Sequence, residues 1–333
     1  MTTTSAMPGA PPPHAPPPHA PEAGRMRRLL GPLYVTGVFW FRFHSWGVSV
    51  MPDWAVGPMI LLFTSFFFVA LRNIRGAIAA NLEAVLGPCS WWERQRRIWR
   101  TLHNFAWCLS ERYERLATDR TFAITGEGEE TWGEILGSGK GFILLSAHLG
   151  SWEAGSIVPA DRDGRRIHVV REAETDPRAQ TFIRELIGRH AKGLYVTHFA
   201  SDDAHLGMVM LEALRAGEIV ALQGDRPRTG GRALETTLFG RPFPLPVGPA
   251  ALARAAGVPL VPVFIFRDGR RRYRSIVRPP IYVAETADRK ADLTAAIDRF
   301  GVELQAAIER VPHQWFCFRK VWPQDQEKAQ AGT

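Results

Sequence analysis

Five short apolar runs without a polar face constrain the fold more than any other feature of this chain: Phe142–Ala147, Ile167–Val170, Leu194–Thr197, Ile219–Leu222 and Leu260–Phe266. A strand with one wet face alternates apolar and polar residues, whereas a strand covered on both faces has no need to. Between these runs lie segments with helical spacing, Asp176–His190, Ala204–Ala216 and Gly248–Ala256. Two further strands, Tyr273–Val277 and Ile281–Val283, precede a last helix around Asp292–Arg310. The alternation predicts an α/β fold, a mixed and mostly parallel sheet flanked by helices. A hydrophobic content of 46% over 333 residues is ample for its core.

Ahead of this body the composition changes twice. Residues Pro11 to Ala20 read PPPHAPPPHA, a direct repeat with too little apolar surface to fold and a leaning towards extended polyproline conformations. The start lacks the charged region and the cleavage site of a signal peptide. Then Arg25, Arg27 and Arg28 precede an apolar run from Leu29 to Phe41, and a second run, Trp54–Leu71, carries no charge. As a helix the second run would measure about 27 Å, at the short end for crossing a bilayer. Trp54 at one end and Arg72 and Arg75 at the other suit an interfacial anchor. A buried core helix is the competing reading, and an anchor could either span the membrane or lie within one leaflet. From Asn73 to about Arg120 the pattern is helical, and Ser90 with Glu93 forms a capping-box pair. The expected organisation is a Pro/His-rich tail over 1–24, a membrane-anchoring helical segment over 25–75, a catalytic domain over 76–325, and a short tail over 326–333.

With 41 Lys+Arg against 33 Asp+Glu the formal charge is +8, which suits acidic partners such as anionic head groups, phosphorylated substrates or an acidic carrier protein. Zinc-finger spacing and aromatic RNA-binding signatures are both missing, so nucleic acid is not an expected partner. The three cysteines, Cys89, Cys108 and Cys317, include no CxxC pair, which argues against a disulfide framework or a structural metal site.

The segment that carries chemistry is Gly141–Gly155, GFILLSAHLGSWEAG. A buried strand ends near Ala147 and puts His148 at its carboxyl end, where open α/β sheets bind ligands. Gly150 permits a tight turn, Ser151 can cap the next helix, and Glu153 falls in that helix's first turn. A carboxylate that accepts from one imidazole nitrogen fixes the tautomer and leaves the other nitrogen to take a proton. Such a pair suits direct activation of a substrate hydroxyl or amine, and the absence of a G-x-S-x-G elbow disfavours a covalent serine mechanism. The competing readings are a core histidine satisfied by backbone and a glutamate that merely favours a helix N-terminus.

His148-x4-Glu153 after an apolar strand resembles the HX4D/E motif of the bacterial lipid A late acyltransferases (lauroyl and myristoyl transferases), within the wider glycerophospholipid acyltransferase superfamily. The resemblance extends through Asn81–Leu82–Glu83, Ser90 to Arg94, and Val169–Val170–Arg171–Glu172. It continues through Ala221 to Arg226, Leu238 to Pro242 with the Gly248–Ala253 helix start, Gly257 to Val263, and Pro312 to Phe316. HX4D/E alone is a weak signal, whereas five blocks in order are a strong one. Glutamate in place of aspartate, and QGDRP in place of FPEGTR, are similar to the lipid A-type branch rather than to the glycerol-phosphate enzymes.

What the resemblance implies is a membrane-associated acyltransferase at the cytoplasmic face of the inner membrane. It would use an acyl carrier protein or coenzyme A thioester as co-substrate and need no cofactor or metal. Its acceptor would be a lipid A precursor or another glycolipid, and membrane lipids would be further partners. In that reading His148 is the base and Glu153 orients it. Asp225 supports the histidine's surroundings, Arg226 meets a phosphate or the acyl oxygen, and Arg171 contacts substrate. Arg241, in the loop before Pro242, has a weaker claim to the same role. The alternatives are a thioester or lipid hydrolase and a catalytically inactive lipid-binding scaffold.

Overall fold

A computed structural model describes residues 38–118, 120–152, 164–172, 178–182, 185, 194–199, 205–228 and 230–325. Among the described residues four helices come first: α1 (Val38–Val50), α2 (Asp53–Ala70), α3 (Arg72–Leu86) and α4 (Trp91–Ala117). The body then runs β1 (Ala123–Glu127), α5 (Glu129–Gly137), β2 (Phe142–Ser146), β3 (Ile167–Arg171), β4 (Tyr195–Phe199), α6 (Leu206–Arg215) and β5 (Ile219–Gln223). It closes with β6 (Ala233–Leu238), β7 (Arg241–Pro246), α7 (Gly248–Ala256), β8 (Leu260–Arg267), β9 (Arg272–Val277), α8 (Arg289–Arg310) and a 3-10 turn over Pro312–Gln314.

Seven strands form one sheet in the order β1-β9-β8-β2-β5-β3-β4. The five from β8 to β4 are parallel, and β9 turns back antiparallel to β8 with β1 parallel beside it. The mixed, mostly parallel sheet expected from the sequence is therefore present, and the reason is visible residue by residue. On β2, Ile143 and Leu145 face the core under α6, α7 and α8, while Phe142 and Leu144 face the core that holds Trp132 and Ile135 of α5. Both faces are covered, so neither needs polar residues.

Two expectations are corrected. Ile281–Val283 is no strand: Ile281 makes only an isolated bridge to Leu260. Arg241 is not in a loop but opens β7, which pairs with β6 as a separate hairpin. The two-residue turn between them, Phe239 and Gly240, has φ of 53° and 69°. Consecutive positive φ values match the twist of the flanking strands. Phe239 holds this unusual conformation with its backbone N–H donating to the Gln305 side chain at 2.8 Å.

The helical expectations hold up well. Ser90 accepts from the Glu93 N–H at 3.3 Å and so caps the start of α4, while the Glu93 carboxylate pairs with Arg96 and Arg97. Helix α2 coincides with the uncharged run and is long and apolar enough, by length and composition, to cross a membrane. The Pro/His repeat and the start of the first apolar run lie outside the described residues, as does most of the Asp176–His190 segment.

Candidate active site

The site grows from two neighbouring parallel strands. β2 and β5 pair in register with Ser146 opposite Gln223, and Gly224 N–H donates to Ser146 O at 2.8 Å. Each chain then continues past the carboxyl edge of the sheet, one to His148 and the other to Asp225. The His148 Nδ1 to Asp225 Oδ1 distance is 2.7 Å. Asp225 is wholly buried, and Trp315 Nε1 donates to its other oxygen at 3.1 Å.

Burial pushes the Asp225 carboxyl up, but the neighbouring His148 and Arg226 charges and the hydrogen bonds from His148 and Trp315 outweigh it. The net result is a carboxyl held well below the ordinary range. An ionised carboxylate only accepts, so the proton of this hydrogen bond belongs to His148 Nδ1. Nε2 is then the basic nitrogen, on an imidazole that is about a quarter exposed (24%).

The turn that carries His148 is stitched in place by backbone. Phe316 N–H donates to His148 O at 2.8 Å, Gly150 N–H to Gln314 O at 2.8 Å, and Ser151 N–H to Ile265 O at 3.0 Å. Gly150 has φ of 55°, and a Cβ there would stand 2.2 Å from Ile265 O. Only glycine fits. Gln314 locks the same corner from the other side, donating to Arg267 O and accepting from Arg267 N, each at 2.9 Å. Asn81 of α3 pins the following segment, bonding Cys317 O, Arg319 O and Val321 N.

Beside the turn lies a cavity of about 180 Å³, walled by Phe105, Cys108 and Leu116 of α4, by Gly150–Trp152, and by Arg171 and Tyr195. Most of its exposed lining is apolar, but Glu111, Arg112 and Arg115 of α4 join Arg171 in its walls. An aromatic wall leads from it to the histidine: Trp152 lies 5.3 Å from the His148 ring and 6.2 Å from Phe316. On its floor Tyr273 donates to the buried Glu111 at 2.6 Å, and Glu111 also receives Arg267 at 3.1 Å.

The residues singled out in the sequence divide clearly. His148, Gly150 and Asp225 are brought together, and Arg171 reaches the neighbouring cavity. Arg226 follows Asp225, but its guanidinium donates to Phe316 O at 3.2 Å and to Cys317 Sγ at 2.8 Å. Arg241 is turned elsewhere, pairing with Asp325 at 3.1 Å and covering the Trp322 ring. Glu153 lies outside the described residues. Trp315, the donor to Asp225, was missed as a functional residue although it stands in the quoted Pro312–Phe316 block.

Burial pushes the Cys317 thiol up to about 12, so it is protonated near neutrality and no nucleophile. Among the described residues, no three His, Cys, Asp or Glu side chains cluster in a way that could hold a metal ion.

A histidine–carboxylate pair at the carboxyl edge of a mostly parallel sheet, beside a cavity, can take a proton from a bound substrate, and the family of the chain says which class of enzyme this is. The family model of the bacterial lipid A biosynthesis acyltransferases matches residues 24–324, and the chain belongs to that family. It is 26% identical over 258 residues to a phosphatidylinositol mannoside acyltransferase of Mycobacterium tuberculosis (strain H37Rv), covering 76% of each chain. A protein of the same name from Mycolicibacterium smegmatis is 24% identical over 201 residues, covering 60% of this chain and 63% of the relative. Among solved structures it is similar to the 1-acyl-sn-glycerophosphate acyltransferase PlsC of Thermotoga maritima, with 14% identity and a TM-score of 0.35. That match covers 75% of this chain and 96% of the other.

Proposed function

We propose that this acyltransferase moves a fatty acyl group from a carrier thioester, acyl carrier protein or coenzyme A, to a hydroxyl or amine of a glycolipid. It would work at the cytoplasmic face of the cell membrane. The observation that supports this most is the His148–Asp225 pair beside a cavity. The acceptor O–H or N–H gives its proton to His148 Nε2 while its heteroatom attacks the thioester carbonyl. The tetrahedral oxyanion that forms requires donors in a site shielded from water. Its collapse breaks the C–S bond, and His148 returns the proton to the departing thiolate. Asp225 keeps the imidazole in the productive tautomer and stabilises its charged form, the part the sequence reading gave to Glu153.

Two acceptor classes compete. Family membership favours a lipid A precursor, and the activity for which the mycobacterial relatives are named favours a mannosylated phosphatidylinositol. Both are glycolipids with ring hydroxyls, and the chemistry at His148 is the same for either.

The test is to incubate purified protein with labelled acyl thioesters and each acceptor, comparing wild type with His148→Ala. A labelled glycolipid formed only by wild type supports transfer, and its mass assigns the acceptor. Free fatty acid alone would replace the reading with a hydrolase, and no turnover with any donor and acceptor would leave a lipid-binding scaffold.

A further inference from the structure

The turn that carries His148 is built against the end of β8. Ser151 N–H donates to Ile265 O at 3.0 Å, and Gly150 N–H donates to Gln314 O at 2.8 Å. Gln314 in turn holds Arg267 through both its N–H and its carbonyl, each at 2.9 Å. Any shift of Ile265–Arg267 therefore moves Gly150 and Ser151, and with them His148 at the head of the turn. What fixes this strand end comes from another element.

Glu111 of α4 is 1% exposed and lies across the rung of the β8–β9 hairpin nearest its turn, where Arg267 and Tyr273 stand opposite each other. One Glu111 oxygen accepts from both, from the Tyr273 hydroxyl at 2.6 Å and from Arg267 Nε at 3.1 Å. The other oxygen accepts from Arg271 N–H at 3.0 Å. Arg271 has φ of 54°, a left-handed conformation that residues with a side chain seldom adopt, and the Glu111 bond falls on that same residue. Three residues along α4, on the same face, Glu114 accepts from Arg271 Nε at 3.1 Å. Helix α4 thus grips both strands of the hairpin and the turn between them. It also forms one wall of the cavity, so a single carboxylate ties that wall to the surface on which the catalytic turn rests.

We propose that Glu111 is a positioning residue, which sets the place of His148 by clamping the strand end to which the catalytic turn is hydrogen-bonded. Stability alone is a poor reason for such a group. A buried ion pair such as Glu111–Arg267 is often matched or bettered by apolar side chains of similar volume. Three directed donors on one carboxylate instead fix a position and an orientation, which apolar packing does not do. Burial and the neighbouring Glu111 charge push the Tyr273 phenol up, so it keeps its proton and stays a donor.

The effect on rate rests on the acyl transfer proposed above, whereas the place of the imidazole does not, and two readouts separate them. Full-length protein with isotope-labelled histidine is compared by NMR as wild type, Glu111→Gln and the pair Glu111→Gln with Arg267→Met. His148→Gln assigns the His148 Nδ1–H resonance by its loss. In Glu111→Gln that resonance should move or broaden although His148, Asp225 and Trp315 are all intact. The kcat for acyl transfer should fall about ten- to a hundredfold with KM little changed. The paired variant also removes the arginine left without its counter-charge, so its urea midpoint should return towards wild type. Its resonance and kcat should stay altered, which keeps the test sound if Glu111→Gln alone folds poorly. A wild-type resonance and kcat in Glu111→Gln, or a kcat that recovers together with the urea midpoint in the pair, would overturn the inference and leave Glu111 a structural ion pair. A displaced resonance in a protein whose wild type transfers no acyl group would remove the reaction and uphold the positioning.

Discussion

Asp225 and His148 stand at equivalent positions on adjacent parallel strands, each just past the register pair Gln223 and Ser146. Strand pairing thus fixes the distance between them before any side-chain contact forms. The 2.7 Å hydrogen bond is a consequence of sheet register, and Gly224 is what lets the two loops leave together. A Cβ at Gly224 would press on Leu145 at 2.8 Å and on Phe300 at 2.9 Å.

Trp315→Phe keeps most of the ring and removes the donor to the buried Asp225 oxygen. Leaving that acceptor short of a partner should cost about 1–3 kcal/mol of stability, measured by urea unfolding. Turnover should fall severalfold with KM little changed, because Trp315 reaches the reaction only through Asp225. An unchanged kcat would show that the indole serves packing alone.

Gly150→Ala should be more damaging than its size suggests. The left-handed backbone and the 2.2 Å approach to Ile265 O leave no room for a methyl group. The turn must open, displacing His148, so both melting temperature and activity should drop, the stability by more than about 1 kcal/mol. A fully active Gly150→Ala enzyme would mean the turn is not held as described.

Acid should destabilise the protein in two windows. Burial, with Arg100 and Arg97 nearby, lowers the His313 pKa from 6.5 to about 4. The unfolded chain therefore takes up a proton that the folded one refuses, so stability is full above pH 6.5 and declines as pH falls towards 4. His313→Gln should flatten the urea midpoint over that interval. Asp225 acts lower: its depressed pKa adds stability above the usual carboxylate range, lost only as pH falls below about 4. Asp225→Asn should flatten that lower limb and leave the upper one.

Most of the sheet was legible in the sequence because burial on both faces leaves unbroken apolar runs, as in FILLS of β2 and LVPVFIF of β8, whereas the largely exposed edge strand β1, AITGE, carries no such run and was not read. Helix α7 was readable to the residue, since Pro249 sits in its first turn and Gly257 takes the left-handed conformation at its end. The β6–β7 hairpin was not, because Pro242, Pro244 and Pro246 mask a strand whose prolines are tolerated in a two-stranded ribbon. His148 was found by its place after a strand. Asp225 was seen only as a supporting residue, since its partnership with His148 depends on which strands are neighbours, and single-sequence patterns do not give strand order. Trp315 was hidden for the same reason, being far from Asp225 in sequence.

The most direct test of the account is the rate of acyl transfer by Asp225→Asn and Glu153→Gln, measured side by side with His148→Ala and wild type. The asparagine has the same shape but cannot hold the imidazole proton on Nδ1, so transfer should fall on the order of 10²- to 10⁴-fold, close to the His148→Ala rate. Folding should be intact by circular dichroism, and Glu153→Gln should lose much less. An Asp225→Asn enzyme within about threefold of wild type, with Glu153→Gln inactive, would contradict the pairing and return the orienting role to Glu153.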